Sequence, residues 1–479
     1  MIAEHTWRIS SLRIHNFRNI SRQEIVFSPQ VTLLIGENGA GKTAVLDAAK
    51  VMLSTVVSEL GGESAHFSHN DVRTVDLDLD SRQKAATSEP HYPVGAEIEF
   101  IADGNSLEWR REIRSPKGRT SRGDLKVRNH FSKLKQEAIG EPVYEYERNQ
   151  FDELEKMQKS RRDTYSNDLE KLHSTTLPVI AYYGVDRMSG TRRASGRIPK
   201  SRTGAYASAL DPRSDLSRLS AFIKSLNEQI LYAVAYGDPI PESAQNQFRA
   251  IEMACDRVIG HTGWTGLRWN PHLDALTLRH DDFGTQPLSH LSSGTRIAAG
   301  LAIDLASRMA RANPHLGSEA LLSSTPGIVM VDEIDLHLHP RWQKKIVPTL
   351  RSAFPAVQFI LTSHSPHVIA TVESQNVRIL KDHMVEVPSF GYGLLPEKIL
   401  ELLQNTDPEP NIESRKIIDQ YMSLVNQREG GTSRRAIELR SQIENLFGGV
   451  ELVPELLKAD ALLAFDSLEF DGDDWEVAR

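Results

Sequence analysis

The stretch Val31-Thr32-Leu33-Leu34-Ile35-Gly36-Glu37-Asn38-Gly39-Ala40-Gly41-Lys42-Thr43 decides how this chain is read. The run VTLLI predicts a buried strand, and the apolar residues beyond Thr43 predict a helix to about Leu60. Between them, Gly36 to Thr43 matches G-x-x-x-x-G-K-[ST] in full. Glycine lets successive backbone N–H groups turn toward a phosphate without a side-chain clash. The helix start adds the positive end of its dipole. The candidate ATP-binding residues are therefore Gly36, Glu37, Asn38, Gly39, Ala40, Gly41, Lys42 and Thr43. Lys42 is expected to reach the β and γ phosphates, and the Thr43 hydroxyl to hold Mg²⁺. A bare glycine turn would share the spacing, but the flanking strand and helix favour the phosphate-binding reading.

Far downstream, Gly327–Val331 is apolar and ends in Asp332 and Glu333. In parallel sheets ligands gather at the carboxyl ends of such strands. Asp332 is expected to bind Mg²⁺ through water. Glu333 is expected to orient and deprotonate an attacking water as general base. Leu291-Ser292-Ser293-Gly294-Thr295 opens an alanine-rich helix. Its hydroxyls and helix start could face a phosphate, or a serine could simply cap the helix. In QFILTSHSPHV an apolar strand delivers His364, 31 residues beyond Glu333. His337 and His339 form an HxH pattern, but no second His or Cys cluster with ligand spacing lies nearby. A turn closed by Pro340 as a helix begins is the other reading.

The order of these motifs resembles that of ABC-type ATPases, with LSSG about 36 residues before the strand that ends in Asp332. The resemblance implies an α/β fold: an ABC-type P-loop ATPase head with a helical and basic insertion and a small α-helical C-terminal region. It implies that Leu291, Ser292, Ser293 and Gly294 of one subunit cap the nucleotide held by another. It also implies that His364 contacts the γ-phosphate, forming the catalytic set with Glu333 and Lys42. Ile334–Pro340 then crosses the dimer interface. The opening WRISSLRIHNFRNI resembles the first strand of the SMC, RecF and OLD-type branch, through Asn16, Phe17 and Arg18. Arg18 thereby joins the candidate nucleotide-binding residues. About 248 residues separate Thr43 from Leu291, too few for a long SMC coiled coil. Gln150 is the candidate for the family's glutamine loop.

Domain boundaries follow from these anchors. Residues 1–110 form the first half of the head and 261–390 the second half. Residues 111–260 form a basic and helical insertion, and 391–479 a helical partner-binding region with an acidic tail. Strand patterns occupy 7–17, 23–27, 96–101, 107–113, 177–183, 267–269 and 275–278. Gly61–Tyr92 reads as a polar loop. Helices are expected over 144–173 (one, or a hairpin), 215–236 and 242–258, with four amphipathic helices over 395–463 and a mobile end beyond them. Residues 109–137 hold ten Lys/Arg against three acids, and 187–202 hold six with no acid. These basic stretches could line a groove over DNA or RNA phosphates, or be solvated insertions.

The chain has 479 residues, with 64 acids against 56 bases and a net charge of −8. That excludes a uniformly basic nucleic-acid coat but not a local basic groove. Cys255 is the single cysteine, so no intrachain disulfide can form and a reducing, cytoplasmic location fits. No apolar run approaches the roughly 20 residues of a membrane helix. The polar start, MIAEHTWRIS, does not resemble a signal peptide. No membrane partner is expected.

More widely, LPVIAYYGVDR, LSSGTR, VDEIDLHLHP, TSHSPHV, GYGLLPEKIL and LVPELLKADALL resemble the ATPase subunit of Septu-type anti-phage systems, including retron-associated versions. That resemblance implies a dimer or higher oligomer that uses ATP and Mg²⁺ and gates an HNH nuclease partner. A retron-associated form would add a reverse transcriptase and its RNA–DNA hybrid. One rival is a RecF- or SMC-like repair ATPase that binds DNA through 109–137 and 187–202. Another is an OLD-type nuclease. That needs a TOPRIM domain, yet about 115 mostly helical residues follow His364, and DGDD at 471–474 follows no apolar strand. A nucleotide kept only as a structural ligand would not need Lys42, Asp332 and Glu333 together.

Overall fold

Four segments, VTLLI, VIAYY, GIVMV and VQFILT, are buried at every position. Runs of this kind suit strands covered on both faces, as a parallel sheet requires. The computed structural model describes residues 6–76, 88–139, 175–187, 201–213, 216–381, 384–404, 406, 413–427, 433–447 and 453–470. Its strands are β1 Trp7–Phe17, β2 Ile20–Val26, β3 Val31–Ile35, β4 Thr74–Asp76, β5 Ser88–Pro90, β6 Val94–Ala102, β7 Asn105–Ile113 and β8 Val179–Tyr183. They continue as β9 Thr265–Asn270, β10 Ala275–His280, β11 Gly284–Pro287, β12 Gly327–Val331, β13 Val357–Thr362, β14 Val377–Lys381 and β15 Met384–Glu386.

The central sheet runs β15-β14-β3-β13-β12-β8, parallel except for the edge strand β15. Leu361 of β13 pairs with Leu33 on one side and Val331 on the other. The carboxyl ends of β3, β12 and β13 therefore open on one edge, and motifs about 300 residues apart meet there. A second, antiparallel sheet runs β2-β1-β6-β7. Helix α1 (Lys42–Glu59) lies between the sheets, packing on β1, β6 and β7 and also on β8 and β13. That explains why it is apolar around most of its circumference, from Ala44 to Val57. The helix that follows the glycine loop is thus anchored in the core.

Helix α2 (Leu125–Ile139) docks Phe131 into an aromatic cluster with Trp7, Phe100 and Trp109. Helices α3 (Leu216–Tyr236) and α4 (Glu242–Ile259) pack against α5 (Ser293–Ala312). A buried ion pair, Asp304–Arg308, ties α5 to β8 through the Tyr183 hydroxyl, which donates to Asp304 at 2.7 Å. Helices α6 (Ser318–Ser324), α7 (Pro340–Ala353) and α8 (Pro366–Ile369) complete this part.

The structure differs from the sequence reading in several details: helix α2 and strands β14 and β15 were not expected, and β8 belongs to the central sheet although it falls within 111–260. Gly61–Tyr92 is not wholly loop: β4 and β5 pair antiparallel, and Phe17 bridges to Val72. Strands of three residues, TVD and SEP, are too short to show a periodicity. The small meander β9-β10-β11 has a third strand, GTQP, whose polar composition hid it. The helix expected over 144–173, the loop candidate Gln150, residues 188–200 and the acidic end 471–479 lie outside the described residues.

The chain divides into two compact units, Met1–Ile399 and Leu400–Arg479. Helix α9 (Pro396–Leu403) spans the division. The second unit contains α10 (Glu413–Asn426), α11 (Arg434–Phe447) and α12 (Pro454–Phe470). Its core is Ile418, Tyr421, Val425, Ala436, Leu439, Ile443, Val453, Leu456 and Ala459. Among the described residues no helix is long and apolar enough to cross a membrane.

Candidate nucleotide site

The glycine loop links the end of β3 to α1. Gly41 caps the helix with φ 98°, a left-handed value that glycine adopts without a β-carbon clash. The Lys42 ammonium folds back to donate to the carbonyls of Gly36 and Glu37, at 2.8 and 2.9 Å. Burial lowers its pKa, and the charges of Asp332 and Glu333 oppose that shift. The side-chain amide of Asn19, in the β1–β2 turn, donates to the Gly39 carbonyl.

Asp332 is 3% exposed, and both its carboxylate oxygens are held. Thr43 Oγ1 donates to Oδ2 at 2.9 Å, and Thr362 Oγ1 donates to Oδ1 at 2.6 Å. Glu333 follows with φ 49°. Its amide donates to Thr362 Oγ1 at 2.7 Å. Arg187, 1% exposed, donates to the backbone carbonyls of Asp332 at 2.6 Å and Glu333 at 2.8 Å. Burial brings the Arg187 pKa down to about 10, against the pull of Asp332, Asp335 and Glu333, so it stays charged at neutral pH. His364 is held below its ordinary pKa by burial and then by Lys42, with Asp335, Glu333 and Asp332 opposing. Ser363, just before it, donates to Asp335 at 2.6 Å.

One open pocket of about 460 Å³ gathers Arg18, Asn19, Asn38, Gly39, Gly41, Lys42, Thr43, Ala44, Asp332, Glu333 and His364. A hydroxyl and a carboxylate oxygen 2.9 Å apart are hard donors of the kind Mg²⁺ takes, so Thr43 and Asp332 fit that ion. Arg18 lies in this lining, with its guanidinium bound to Asp47 at 2.8 Å and Asp71 at 2.9 Å.

The pocket's lining does not include Leu291–Gly294. Ser292 caps α5, accepting from the Thr295 amide at 3.3 Å, and both Ser292 and Ser293 are exposed. Gly294 sits beneath the turn after Glu333: a β-carbon there would come 2.6 Å from the His337 carbonyl. In the HxH segment, His339 Nδ1 accepts from the Arg341 amide at 3.2 Å and caps α7, with Pro340 at its first position. Among the described residues no group of three or more His, Cys, Asp or Glu could hold a metal ion.

Part of the basic charge is paired within the fold. Arg111 is buried and donates to the carbonyls of Val51 and Ser121 and to Ser54 Oγ. Arg110 and Arg114 flank Glu112, and Arg128 pairs with Glu59. Arg202 donates to the carbonyls of Ala312 and Ala138. Lys117, Arg119, Arg122 and Lys126 are exposed.

The sequence reading missed Asn19, Thr362 and Arg187 as members of this arrangement. Arg187 opens the basic stretch 187–202 in sequence but is buried in the fold. Its signal is its place four residues beyond a buried strand, in AYYGVDR. Thr362 is the last residue of the strand between β3 and β12.

A family model described as "AAA domain, putative AbiEii toxin, Type IV TA system" matches residues 31–370. The chain is 24% identical over 446 residues to the retron Vc95 probable ATPase of Vibrio cholerae serotype O1 biovar El Tor, covering 87% of this chain and 83% of that protein. It is 38% identical over 160 residues to the retron Ec83 probable ATPase of Escherichia coli, covering 33% and 29% of the two. It is also 38% identical over 150 residues to the Septu protein PtuA of Bacillus mycoides (strain KBAB4), covering 29% and 20%.

Proposed function

This chain belongs to the family described as "AAA domain, putative AbiEii toxin, Type IV TA system", and from that premise we propose that it is the ATP-hydrolysing subunit of an anti-phage defence complex. The observation that carries the chemistry is the 2.9 Å contact between Thr43 and Asp332, with Glu333 and His364 lining the same pocket. Thr43 and Asp332 would hold Mg²⁺, which when bound would offset the phosphate charge that builds during transfer. Lys42 leaves its loop carbonyls for the β and γ phosphates. The Glu333 carboxylate orients the attacking water and takes its proton. His364, neutral at pH 7, hydrogen-bonds the γ-phosphate.

Ser292 and Ser293 are exposed and stand outside the lining of their own pocket, which supports a site completed by a second copy. Two subunits then sandwich two ATP, with the γ-phosphate favouring the closed dimer. The similarity to two retron ATPases and to PtuA supports the defence role. In this reading the chain is cytoplasmic, residues 391–479 bind the partner, and the partner is an HNH nuclease. A retron-associated assembly adds a reverse transcriptase and its RNA–DNA hybrid. The exposed cations Lys117, Arg119, Arg122 and Lys126 favour a second reading, a RecF- or SMC-like DNA-binding ATPase that works without a nuclease.

Phosphate release by the parent, Lys42→Ala and Glu333→Gln tests the chemistry. The parent should hydrolyse ATP, Lys42→Ala should bind nucleotide weakly, and Glu333→Gln should bind ATP as an unhydrolysed dimer. Equal rates in the parent and Glu333→Gln would overturn the general-base role. A tagged pull-down from the native locus tests the partner: a stoichiometric HNH protein supports nuclease gating, and DNA alone favours the second reading.

A further inference from the structure

Glu333 is gripped through its backbone from two sides. In an extended strand successive carbonyls point in opposite directions. The left-handed φ of 49° at Glu333 breaks that alternation. The carbonyls of Asp332 and Glu333 then converge on one guanidinium, that of Arg187, at 2.6 and 2.8 Å. Across from it, Thr362 Oγ1 accepts a hydrogen bond from the Glu333 amide and donates one to Asp332 Oδ1. A residue with a β-carbon rarely adopts this conformation unless its surroundings impose it.

Arg187 is itself fixed. It leaves β8 by a turn in which its amide donates to the Gly184 carbonyl at 3.2 Å, and its Nη1 donates to that same carbonyl, also at 3.2 Å. That turn is registered on the Asp332 strand, because Tyr183 pairs with Val331 and accepts the Asp332 amide at 2.8 Å. Arg187 is absent from the lining of the nucleotide pocket. It is placed to act on the general base from behind, and its planar fork gives each carbonyl a nitrogen of its own, Nη1 for Asp332 and Nη2 for Glu333.

We propose that Arg187 is a positioning residue for ATP hydrolysis: its guanidinium holds the Asp332 and Glu333 carbonyls together, so that the left-handed turn keeps the Glu333 carboxylate aimed at the attacking water. This rests on the general-base role assigned to Glu333 above. A residue that only fills the core would alter stability and nucleotide binding together. A positioning residue alters kcat and leaves ATP affinity in place.

The test uses the full chain as the parent, Arg187→Lys and Arg187→Met, with ATP turnover, binding of a fluorescent ATP analogue and melting temperature measured on each. Arg187→Met should lose at least tenfold in kcat, while KM and analogue affinity stay within threefold. Arg187→Lys, which keeps the charge but loses the rigid two-nitrogen fork, should recover part of that kcat. A folded Arg187→Met with kcat within twofold of the parent would overturn the inference, as would a loss confined to KM and analogue binding. If Arg187→Met does not fold, Arg187→Lys decides: a threefold or larger drop in kcat at unchanged KM supports the role, and parental kcat overturns it. A parent without any ATP turnover overturns the proposed function itself, and the inference with it. A parent that turns over no faster than Arg187→Met overturns the inference alone.

Discussion

Thr43 Oγ1 donates to Asp332 Oδ2 at 2.9 Å across 289 residues of chain, which ties the first turn of α1 to the end of β12. These two side chains would hold Mg²⁺, Thr43 through its hydroxyl and Asp332 through its carboxylate. Thr43→Ala should therefore raise the Mg²⁺ concentration needed for half-maximal ATP turnover about tenfold or more, and Thr43→Ser should restore it. A Mg²⁺ titration of phosphate release measures this directly. An unchanged half-point in Thr43→Ala would show that the hydroxyl does not serve the metal.

Gly294 would be the obvious residue to block a second subunit, but it is a poor probe here. Any side chain at Gly294 would meet the His337 carbonyl within the same chain, so a defect could arise without a partner. Ser293 is exposed and its neighbour Ser292 does the capping, so Ser293→Arg should leave the monomer intact. It should abolish the ATP-dependent dimer in a Glu333→Gln background while analogue binding stays within threefold. Light scattering at rising ATP concentration decides. A normal dimer in that variant removes LSSG from the proposed interface.

His364 sits below its ordinary pKa through burial and the nearby Lys42 charge. A lowered pKa leaves the ring neutral at pH 7, and acid is needed to charge it. If the neutral ring is the working form, kcat/KM should hold level above neutral pH and fall only as acid charges the ring, because that ratio reports the free enzyme. A working imidazolium would give the opposite slope, with activity declining as pH rises. A decline above pH 6.5 that disappears in His364→Gln would overturn the neutral role.

What was legible in the sequence follows from what periodicity can carry. VTLLI, GIVMV and VQFILT announced strands buried on both faces, and the residues that end them announced phosphate, metal and proton chemistry. Pairing is another matter. Arg187 reaches the Asp332 carbonyl across 145 residues only because β8 lies in register beside β12, and a side chain bonded to distant backbone leaves no local pattern. The same blindness affected charge. Counting Lys and Arg over 109–137 gives a basic stretch, yet Arg111 points into the core and Arg110 and Arg114 are paired with Glu112.

That division of the basic stretch makes its own prediction. Arg111 donates to two carbonyls and a hydroxyl, with burial bringing its pKa down to about 10. Arg111→Met strands those acceptors and should lower stability by roughly 3 kcal/mol, read as a fall in melting temperature. Arg119 and Arg122 are exposed, so the double variant Arg119→Gln/Arg122→Gln should melt like the parent. If these two cations meet duplex DNA phosphates, the double variant should also flatten the plot of log Kobs against log salt by about two, since each contact contributes close to one counterion. Fluorescence anisotropy on duplexes of unrelated sequence measures that slope. An unchanged slope in a variant of parental stability would assign these arginines to solvent and remove the exposed part of 109–137 from the proposed nucleic-acid surface.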